Sequence, residues 1–192
     1  MAAGRSVVVL PGRNFGAYVP QLFFPMMAAV RRDAEPVAVS WRDVEAVSEM
    51  GADELPGWVS DQVRCDLSGL EPESTLVVGK SLGSYAAGLV AELGFPAIRV
   101  TPVLISDEIV AALRRAHSPF LLAGGTADDL WISDVARELT PHVLEIDGAD
   151  HGLFVQGPLD QSAHNIGLLA AACESFIDAY VWTSGEHADE PA

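Results

Sequence analysis

Residues 74–87 read STLVVGKSLGSYAA, and three patterns follow one another within them. An apolar run precedes a Gly-x-Ser-x-Gly pattern, formed by Gly79, Ser81 and Gly83, and an alanine-rich segment comes next. A serine on a sharp turn between a strand and a helix needs glycines two residues before and after it, because side chains there would block the tight contact of helix and strand. The stretch therefore predicts a strand, a turn that presents Ser81 as a candidate nucleophile, and a helix.

The tripeptide Gly79-Lys80-Ser81 also ends the phosphate-binding loop of many nucleotide-binding proteins. That motif requires another glycine five residues before Gly79, where this chain has Ser74. It also requires a flexible loop, where this chain has the apolar residues 76–78. The spacing therefore argues against nucleotide binding.

Short β-branched runs alternate with longer amphipathic segments along the chain, a pattern typical of a parallel sheet with helices on both faces. Most of the short runs are apolar throughout, as strands buried on both faces should be. The predicted strands are Ser6–Leu10, Pro36–Trp41, Ser74–Val78, Ile98–Ile105, Pro119–Ala123 and Val143–Ile146. The predicted helices are Pro25–Arg32, Asp53–Val63, Gly83–Leu93, Asp107–Ala116, Ile132–Leu139 and Gln161–Val181.

Two prolines lie close to the start of the first predicted helix. Pro20 and Pro25 lack the N–H group of a regular helix and clash with the preceding turn, so we expect residues 18–27 to form a loop or a kinked segment. A chain of 192 residues can bury one sizeable core. We expect residues 1–182 to form a single domain and the acidic tail, residues 183–192, to be disordered.

The chain carries 27 acidic and 11 basic residues, a formal net charge of −16 at neutral pH. Nucleic-acid binding depends on clustered Lys and Arg, so this charge argues against DNA and RNA as partners. No apolar run reaches the roughly 18 residues of a membrane span, and no signal-peptide core is formed, so we expect a cytoplasmic protein. Cys65 and Cys173 are expected to be buried free thiols. The familiar zinc-ligand spacings are absent, so no metal or cofactor is inferred.

A nucleophilic serine needs a histidine base, and the base needs a carboxylate that orients it. Downstream of Ser81, Asp128 and Asp129 lie in the loop after a predicted strand, and His151 lies in a glycine-flanked loop after the last strand. The order serine, acid, histidine is the one that accompanies this type of serine turn. All of these residues would emerge at the carboxyl ends of strands, where open α/β sheets place their sites. They are therefore candidates for one shared site.

On these motifs the chain resembles the α/β-hydrolase superfamily, and it is similar to small cap-less esterase-like and dienelactone-hydrolase-like proteins. The resemblance covers residues 7–181. It implies that Ser81 is the nucleophile, His151 the general base and Asp128 the acid. Asp128 is favoured over Asp129 because the family's Gly-x-x-Asp pattern usually presents the first aspartate.

The same resemblance implies an oxyanion hole, a pair of backbone N–H groups that hold the developing negative charge. One N–H would come from Leu82, directly after the nucleophile. The other would come from Arg13 in the loop after the first strand, with Asn14 in its place if that loop is one residue longer. In this loop Pro11-Gly12 stands where many relatives have His-Gly.

The chain departs from the family in having six predicted strands instead of eight, and we expect the first two family strands to be missing. The fold implied is a three-layer α/β/α sandwich around a six-stranded parallel sheet with the strand order 2-1-3-4-5-6. Residues 106–118, where a cap domain normally enters, hold one predicted helix. The site should therefore be open and shaped by loops.

Four aromatic residues near these loops are candidates for a substrate pocket, namely Phe15, Tyr18, Phe23 and Trp131. Phe23 is equally compatible with the core of its helix, and Trp131 with packing beneath the acid loop. Lys80 either tunes the site electrostatically or is a solvated side chain that pairs with a nearby acid, and the second interpretation is favoured.

The expected chemistry is acyl transfer from a small ester to water, through an acyl-enzyme on Ser81. Thioester or lactone hydrolysis would use the same groups. The alternative is a protein of this fold that binds a small molecule or a protein partner without turnover, since fold and motif do not fix function. The chemical reactivity of Ser81 distinguishes the two. The sequence indicates no particular oligomeric state.

Overall fold

A parallel β-sheet forms the centre of the computed structural model, which describes residues 4–14 and 16–183. Its strands are β1 (Arg5–Leu10), β2 (Ala34–Ala38), β3 (Thr75–Lys80), β4 (Ala97–Val100), β5 (Phe120–Gly125) and β6 (Val143–Ile146). They lie in the order β2-β1-β3-β4-β5-β6, and all neighbouring strands are parallel. The predicted six-stranded sheet and its strand order are confirmed.

Helices connect the strands and cover both faces of the sheet. They are α1 (Pro20–Val30), α2 (Leu55–Leu67), α3 (Ala87–Glu92), α4 (Asp107–Arg114), α5 (Ser133–Leu139) and α6 (Leu159–Phe176). Short 3₁₀ turns span Val44–Ser48, Pro72–Ser74 and Ser81–Ala86, and a π turn, Ile177–Val181, continues α6. Between β4 and β5, a range that the structure describes throughout, α4 is the only helix, so no cap domain is inserted there.

Two apolar layers fill the space between the sheet and its helices, because successive strand residues point to opposite faces. On one face, Val8 and Val77 pack with residues of α2, α3, α4 and α5. On the other face, Val7 and Val78 pack with residues of α1 and α6. This arrangement confirms the three-layer sandwich, and it explains why the central strands are apolar throughout.

Helix α1 begins earlier than predicted, and the expected loop or kinked segment at residues 18–27 is wrong. Pro20 is the first residue of the helix, where the missing N–H would have no partner in any case. Pro25 lies inside the helix and is buried. Its missing hydrogen bond costs about 3 kcal/mol in an isolated helix. The apolar face of α1, which includes the fully buried Leu22, packs against α6 and β3 and outweighs that cost.

Two strands also differ from their predicted bounds. The run predicted as Ile98–Ile105 ends as a strand at Val100, because Thr101 turns the chain with a φ of 42°. The second strand ends at Ala38 rather than at Trp41, although Val39 still donates a backbone hydrogen bond to Val9. Both strands therefore end at the edge of the sheet where Ser81 lies.

The sequence also led to predictions for the two cysteines, for membrane-spanning segments and for the C-terminal tail. Cys65 and Cys173 are free, but only Cys173 is buried; Cys65 is exposed, contrary to the prediction. In the part of the chain that the structure describes, every helix is too short or too polar to cross a membrane. The predicted disordered tail falls, from residue 184 onward, outside the described residues.

Candidate active site

Ser81 lies directly after β3, on a turn with a left-handed backbone conformation, φ 49°. Residues other than glycine rarely adopt this conformation, because the Cβ atom comes too close to the backbone. Gly83 permits the turn: a Cβ atom there would lie 2.8 Å from the Leu10 Cβ atom and closer still to the Leu10 carbonyl oxygen. A Cβ atom on Gly79 would lie 3.2 Å from the Gly83 carbonyl oxygen. The glycine pattern in the sequence thus reflects close packing of β1, β3 and the turn.

The side chain of Ser84 holds the turn from within. Its hydroxyl group donates to the Ser81 carbonyl oxygen and accepts a hydrogen bond of 3.2 Å from the Val103 N–H. Ser84 is fully buried. It therefore ties the serine turn to the segment after β4.

Ser81, His151 and Asp128 are brought together at the carboxyl edge of the sheet. His151 Nε2 lies 2.9 Å from Ser81 Oγ, and His151 Nδ1 lies 2.8 Å from Asp128 Oδ2. The Asp128 side chain is 2% exposed and that of His151 is 35% exposed. The carboxylate is therefore shielded from water, while the ring can be reached from solvent.

The loop after β5 presents Asp128 rather than Asp129 to the histidine. Asp128 N–H donates to the Gly125 carbonyl oxygen at 3.1 Å, and Asp128 Oδ1 accepts from the Leu130 N–H at 3.0 Å. These bonds fix the carboxylate, whose second oxygen is left for His151. Asp129 is exposed.

The carboxylate of Asp150 stabilises the histidine loop, residues 150–154, from within. Asp150 Oδ1 accepts hydrogen bonds from the N–H groups of Gly152, at 2.7 Å, and Phe154, at 3.0 Å. The amide of Gln21, a buried residue at the start of α1, donates to the Gly152 carbonyl oxygen. The ring of His151 is therefore carried on a short, internally bonded turn that α1 holds in place.

Lys80 also supports this loop, and it is not the solvated side chain that was favoured from the sequence. Its Nζ atom lies 3.0 Å from Thr101 Oγ1 and 3.0 Å from the His151 carbonyl oxygen, and it donates to both. Burial lowers the pKa of the Lys80 ammonium group to about 8, and the nearby carboxylates of Asp128 and Asp150 oppose this shift. Its place at the end of β3, directly before Ser81, is the sequence signal that could have drawn attention to it.

A cavity of about 370 Å³ opens beside Ser81. Its walls come from the loop after β1, the first residues of α1 and the histidine loop, namely residues 12–14, 19–21, 80–81, 151–152 and 154. A Cβ atom on Gly12 would lie 3.6 Å from Ser81 Cβ, so the loop that contains Arg13 and Asn14 passes against the serine turn.

Of the four aromatic residues predicted for the pocket, the three that the structure describes do not line this cavity. Trp131 is buried in the core, where it packs across Gly124 and its Nε1 group donates to Glu145 at 2.7 Å. Phe23 packs edge-on against Phe24, with ring centroids 5.8 Å apart, on the outer side of α1. Tyr18 is 72% exposed. Phe15 lies outside the described residues.

Several residues that do line the cavity were not predicted from the sequence, among them Val19, Gln21 and Phe154. Val19 and Gln21 belong to the segment that was expected to be a loop, and recognising Pro20 as the first residue of a helix would have brought them forward. For Phe154, closeness to His151 in the sequence is the available signal.

No family model matches the chain, and no curated protein matches it. Solved structures do resemble it. A structure from Xanthomonas campestris, assigned to the alpha/beta hydrolase superfamily, is 17% identical, with 92% of this chain and 99% of that chain covered and a TM-score of 0.69. A serine hydrolase without a lid, from the same organism, is 14% identical over 91% and 84% of the two chains, with a TM-score of 0.62.

A third similar structure, Est1E from Butyrivibrio proteoclasticus, is 11% identical over 90% of this chain and 86% of its own, with a TM-score of 0.65. At these identities the likeness is one of fold. The sheet order, the serine turn and the single helix between β4 and β5 agree with it. The chain therefore has the α/β-hydrolase fold, in the form that lacks a cap domain.

Proposed function

We propose that the protein is a serine hydrolase that cleaves a small carboxylic ester through an acyl-enzyme intermediate. The observation that carries the proposal is the continuous chain of hydrogen bonds from Asp128 to His151 and from His151 to Ser81, at 2.8 Å and 2.9 Å. Such a chain provides a nucleophile, a base within reach of its proton and a carboxylate that orients the base.

In the proposed reaction the Asp128 carboxylate accepts from His151 Nδ1–H, which leaves Nε2 free to accept the Ser81 hydroxyl proton. Ser81 Oγ forms a bond to the ester carbonyl carbon as its proton passes to Nε2. The bond from that carbon to the alcohol oxygen then breaks, and His151 returns the proton to the departing alcohol. Water repeats the sequence on the acyl-enzyme, which releases the acid and restores Ser81.

The oxyanion hole is proposed to consist of the backbone N–H groups of Leu82 and Arg13, with Asn14 as the alternative to Arg13. Two observations support this assignment. Gly12 approaches Ser81 closely, and residues 13 and 14 line the same cavity as the serine. The Arg13 side chain donates to Ser48 Oγ, so the oxyanion role assigned to Arg13 uses its backbone N–H alone.

A small substrate is proposed because the cavity, about 370 Å³, is at the low end of the range for small-molecule sites. Esters are the first substrate class to test. Thioesters and lactones, which would react through the same groups, are the classes to test next.

The test is hydrolysis of p-nitrophenyl acetate, butyrate and octanoate, with a butyryl thioester for comparison, by wild type and two variants of the nucleophile. Ser81→Ala and Ser81→Gly both remove Oγ, and glycine also relieves the strained φ of 49°. We expect turnover by wild type and background rates for both variants. Because Ser81→Gly should be at least as stable as wild type, unfolding cannot explain its inactivity. Full activity in either variant would remove Ser81 from the chemistry.

A further inference from the structure

The residues that line the cavity beside Ser81 differ in charge from the molecule as a whole. The chain has 27 acidic and 11 basic residues. None of the described residues that line the cavity is Asp or Glu, whereas Lys80 and Arg13 both contribute to its walls. Local fields at a site can oppose the net charge of a protein and attract a ligand of matching sign. The lining therefore favours an anion.

Lys80 is the cation whose surroundings best fit such a ligand. Its ammonium group is largely buried, and within the described chain its hydrogen-bond partners are the neutral oxygens of Thr101 and His151. Asp128 and Asp150 attract this charge, but among the described residues neither forms a hydrogen bond or an ion pair with it. An ammonium group has three N–H donors, and these two oxygens use two of them. One donor is left, and Lys80 lines the cavity next to the residue that would attack the substrate.

From this arrangement we propose that Lys80 binds a carboxylate group of the substrate, so that the protein acts on esters that carry a free carboxylate near the scissile bond. The inference rests on the proposed function and names its substrate class. One remaining N–H matches one carboxylate oxygen, and the single charge of a carboxylate matches the single charge of the Lys80 ammonium group. Arg13, whose guanidinium group is bound to Ser48, is the other basic residue of the lining.

The test compares matched pairs of esters that differ in one carboxylate. Mono-p-nitrophenyl glutarate and p-nitrophenyl pentanoate carry the difference on the acyl side; 3-acetoxybenzoate and phenyl acetate carry it on the alcohol side. For each pair, the ratio of kcat/KM for the anionic ester to that for the neutral ester is measured in wild type and Lys80→Met. Arg31→Met is the control, since it removes the same charge from an exposed side chain at the far end of α1.

We expect the ratio for at least one pair to fall about tenfold or more in Lys80→Met, the amount that a hydrogen bond to a charged group contributes, and to stay unchanged in Arg31→Met. A loss of kcat/KM that is equal for both members of each pair would overturn the proposal, because Lys80 would then only position His151 through its carbonyl oxygen. Unchanged ratios in both pairs would overturn it as well.

A binding measurement separates this proposal from the proposed function. Monomethyl and dimethyl glutarate are titrated into Ser81→Ala, which binds without turnover, and into the same protein with Lys80→Met added. Tighter binding of the monomethyl ester that disappears with Lys80→Met supports anion recognition even if wild type cleaves no ester. Equal binding of the two esters by a folded Ser81→Ala protein contradicts it, whatever the outcome of the hydrolysis assay.

Discussion

Asp128 and Asp129 are adjacent in sequence, yet their side chains lie in very different surroundings. Asp128 is 5% exposed and is bonded to the Leu130 N–H and to His151, whereas Asp129 is exposed. The Trp131 N–H donates to the Asp128 carbonyl oxygen, so the chain turns sharply at this point. The turn directs the first carboxylate inward and leaves the second in solvent.

Replacing each aspartate by asparagine therefore gives a matched pair of variants. Asp128→Asn should lower kcat by about 10⁴-fold, because an amide no longer selects the histidine tautomer that leaves Nε2 free to accept a proton. Asp129→Asn should change kcat by about twofold or less, as expected for an exposed substitution. The check is to measure kcat for both variants and wild type by steady-state kinetics on one ester. The reverse ranking would transfer the acid role to Asp129.

The charge of Lys80 leads to a prediction about pH. Its pKa of about 8 means that the ammonium group is present below pH 8 and is lost as the pH rises through this value. Asp128 and Asp150 attract the charge, and His151 also lies nearby. We expect the preference for mono-p-nitrophenyl glutarate over p-nitrophenyl pentanoate to decline above pH 8.

The measurement is the ratio of the two kcat/KM values between about pH 6.5 and 9.5, a range in which the substrate carboxylate stays ionised. Because both esters would use the same catalytic groups, a pH effect on the chemical step common to both cancels in the ratio. A ratio that is constant, or that rises with pH, would mean that the Lys80 charge does not recognise the substrate.

The backbones of β1, β3 and the serine turn pack closely together. Gly83 sits against the Leu10 backbone, whereas Gly88, five residues further along in α3, has open space where a Cβ atom would be. The two glycines thus lie in neighbouring turns, but Gly83 is tightly packed and Gly88 is not.

Gly83→Ala should destabilise the protein by about 1–3 kcal/mol, because the added methyl group must push β1 and the turn apart. It should also lower activity, since Ser81 would move with the turn. Gly88→Ala should leave activity unchanged and raise stability by up to about 1 kcal/mol, because alanine favours the helix. Urea unfolding and ester hydrolysis on both variants provide the check. Equal stability of the two variants would mean that the turn tolerates a side chain, contrary to the packing described.

The same elements show how far the sequence could predict the structure. The Gly-x-Ser-x-Gly pattern is local, so the strand, the turn and the helix around Ser81 could be predicted from it. The ends of β2 and β4 could not, because the apolar runs continue past Ala38 and Val100 while the backbone turns. The first turns of α1 were missed because proline preferences are local, whereas the packing of this helix against α6 depends on residues far along the chain.

In the whole molecule, the carboxyl ends of the parallel strands form one edge of the sheet. Because the serine, the acid and the histidine each follow a strand, their common site at this edge could be predicted from the sequence. The contacts that complete this site depend on tertiary packing rather than on the order of residues in the chain. Lys80 reaches the carbonyl of His151, and Gln21 reaches that of Gly152. These contacts join side chains to backbone atoms of distant segments, and no periodicity or spacing in the sequence encodes them. The pocket could not be predicted for the same reason.

The closed packing of the molecule also determines which cysteine can react. Cys65 lies exposed on α2, whereas Cys173 is fully buried in α6, where burial raises the pKa of its thiol. Titration with a thiol reagent should modify Cys65 rapidly in the native protein and Cys173 only after unfolding in guanidinium chloride. Mass mapping of the modified peptides identifies the sites. Rapid native labelling of Cys173 would contradict the packing of α6 against the sheet.

The most direct test of the central claim is labelling with a fluorophosphonate probe, which reacts with a serine activated by a base and an oxyanion hole. Wild type and Ser81→Ala are treated, their intact masses are measured and the modified peptide is mapped. The account predicts stoichiometric modification of wild type at Ser81 and none in the variant. A folded wild type that stays unlabelled, or that is labelled at another residue, would contradict the assignment of Ser81 as an activated nucleophile.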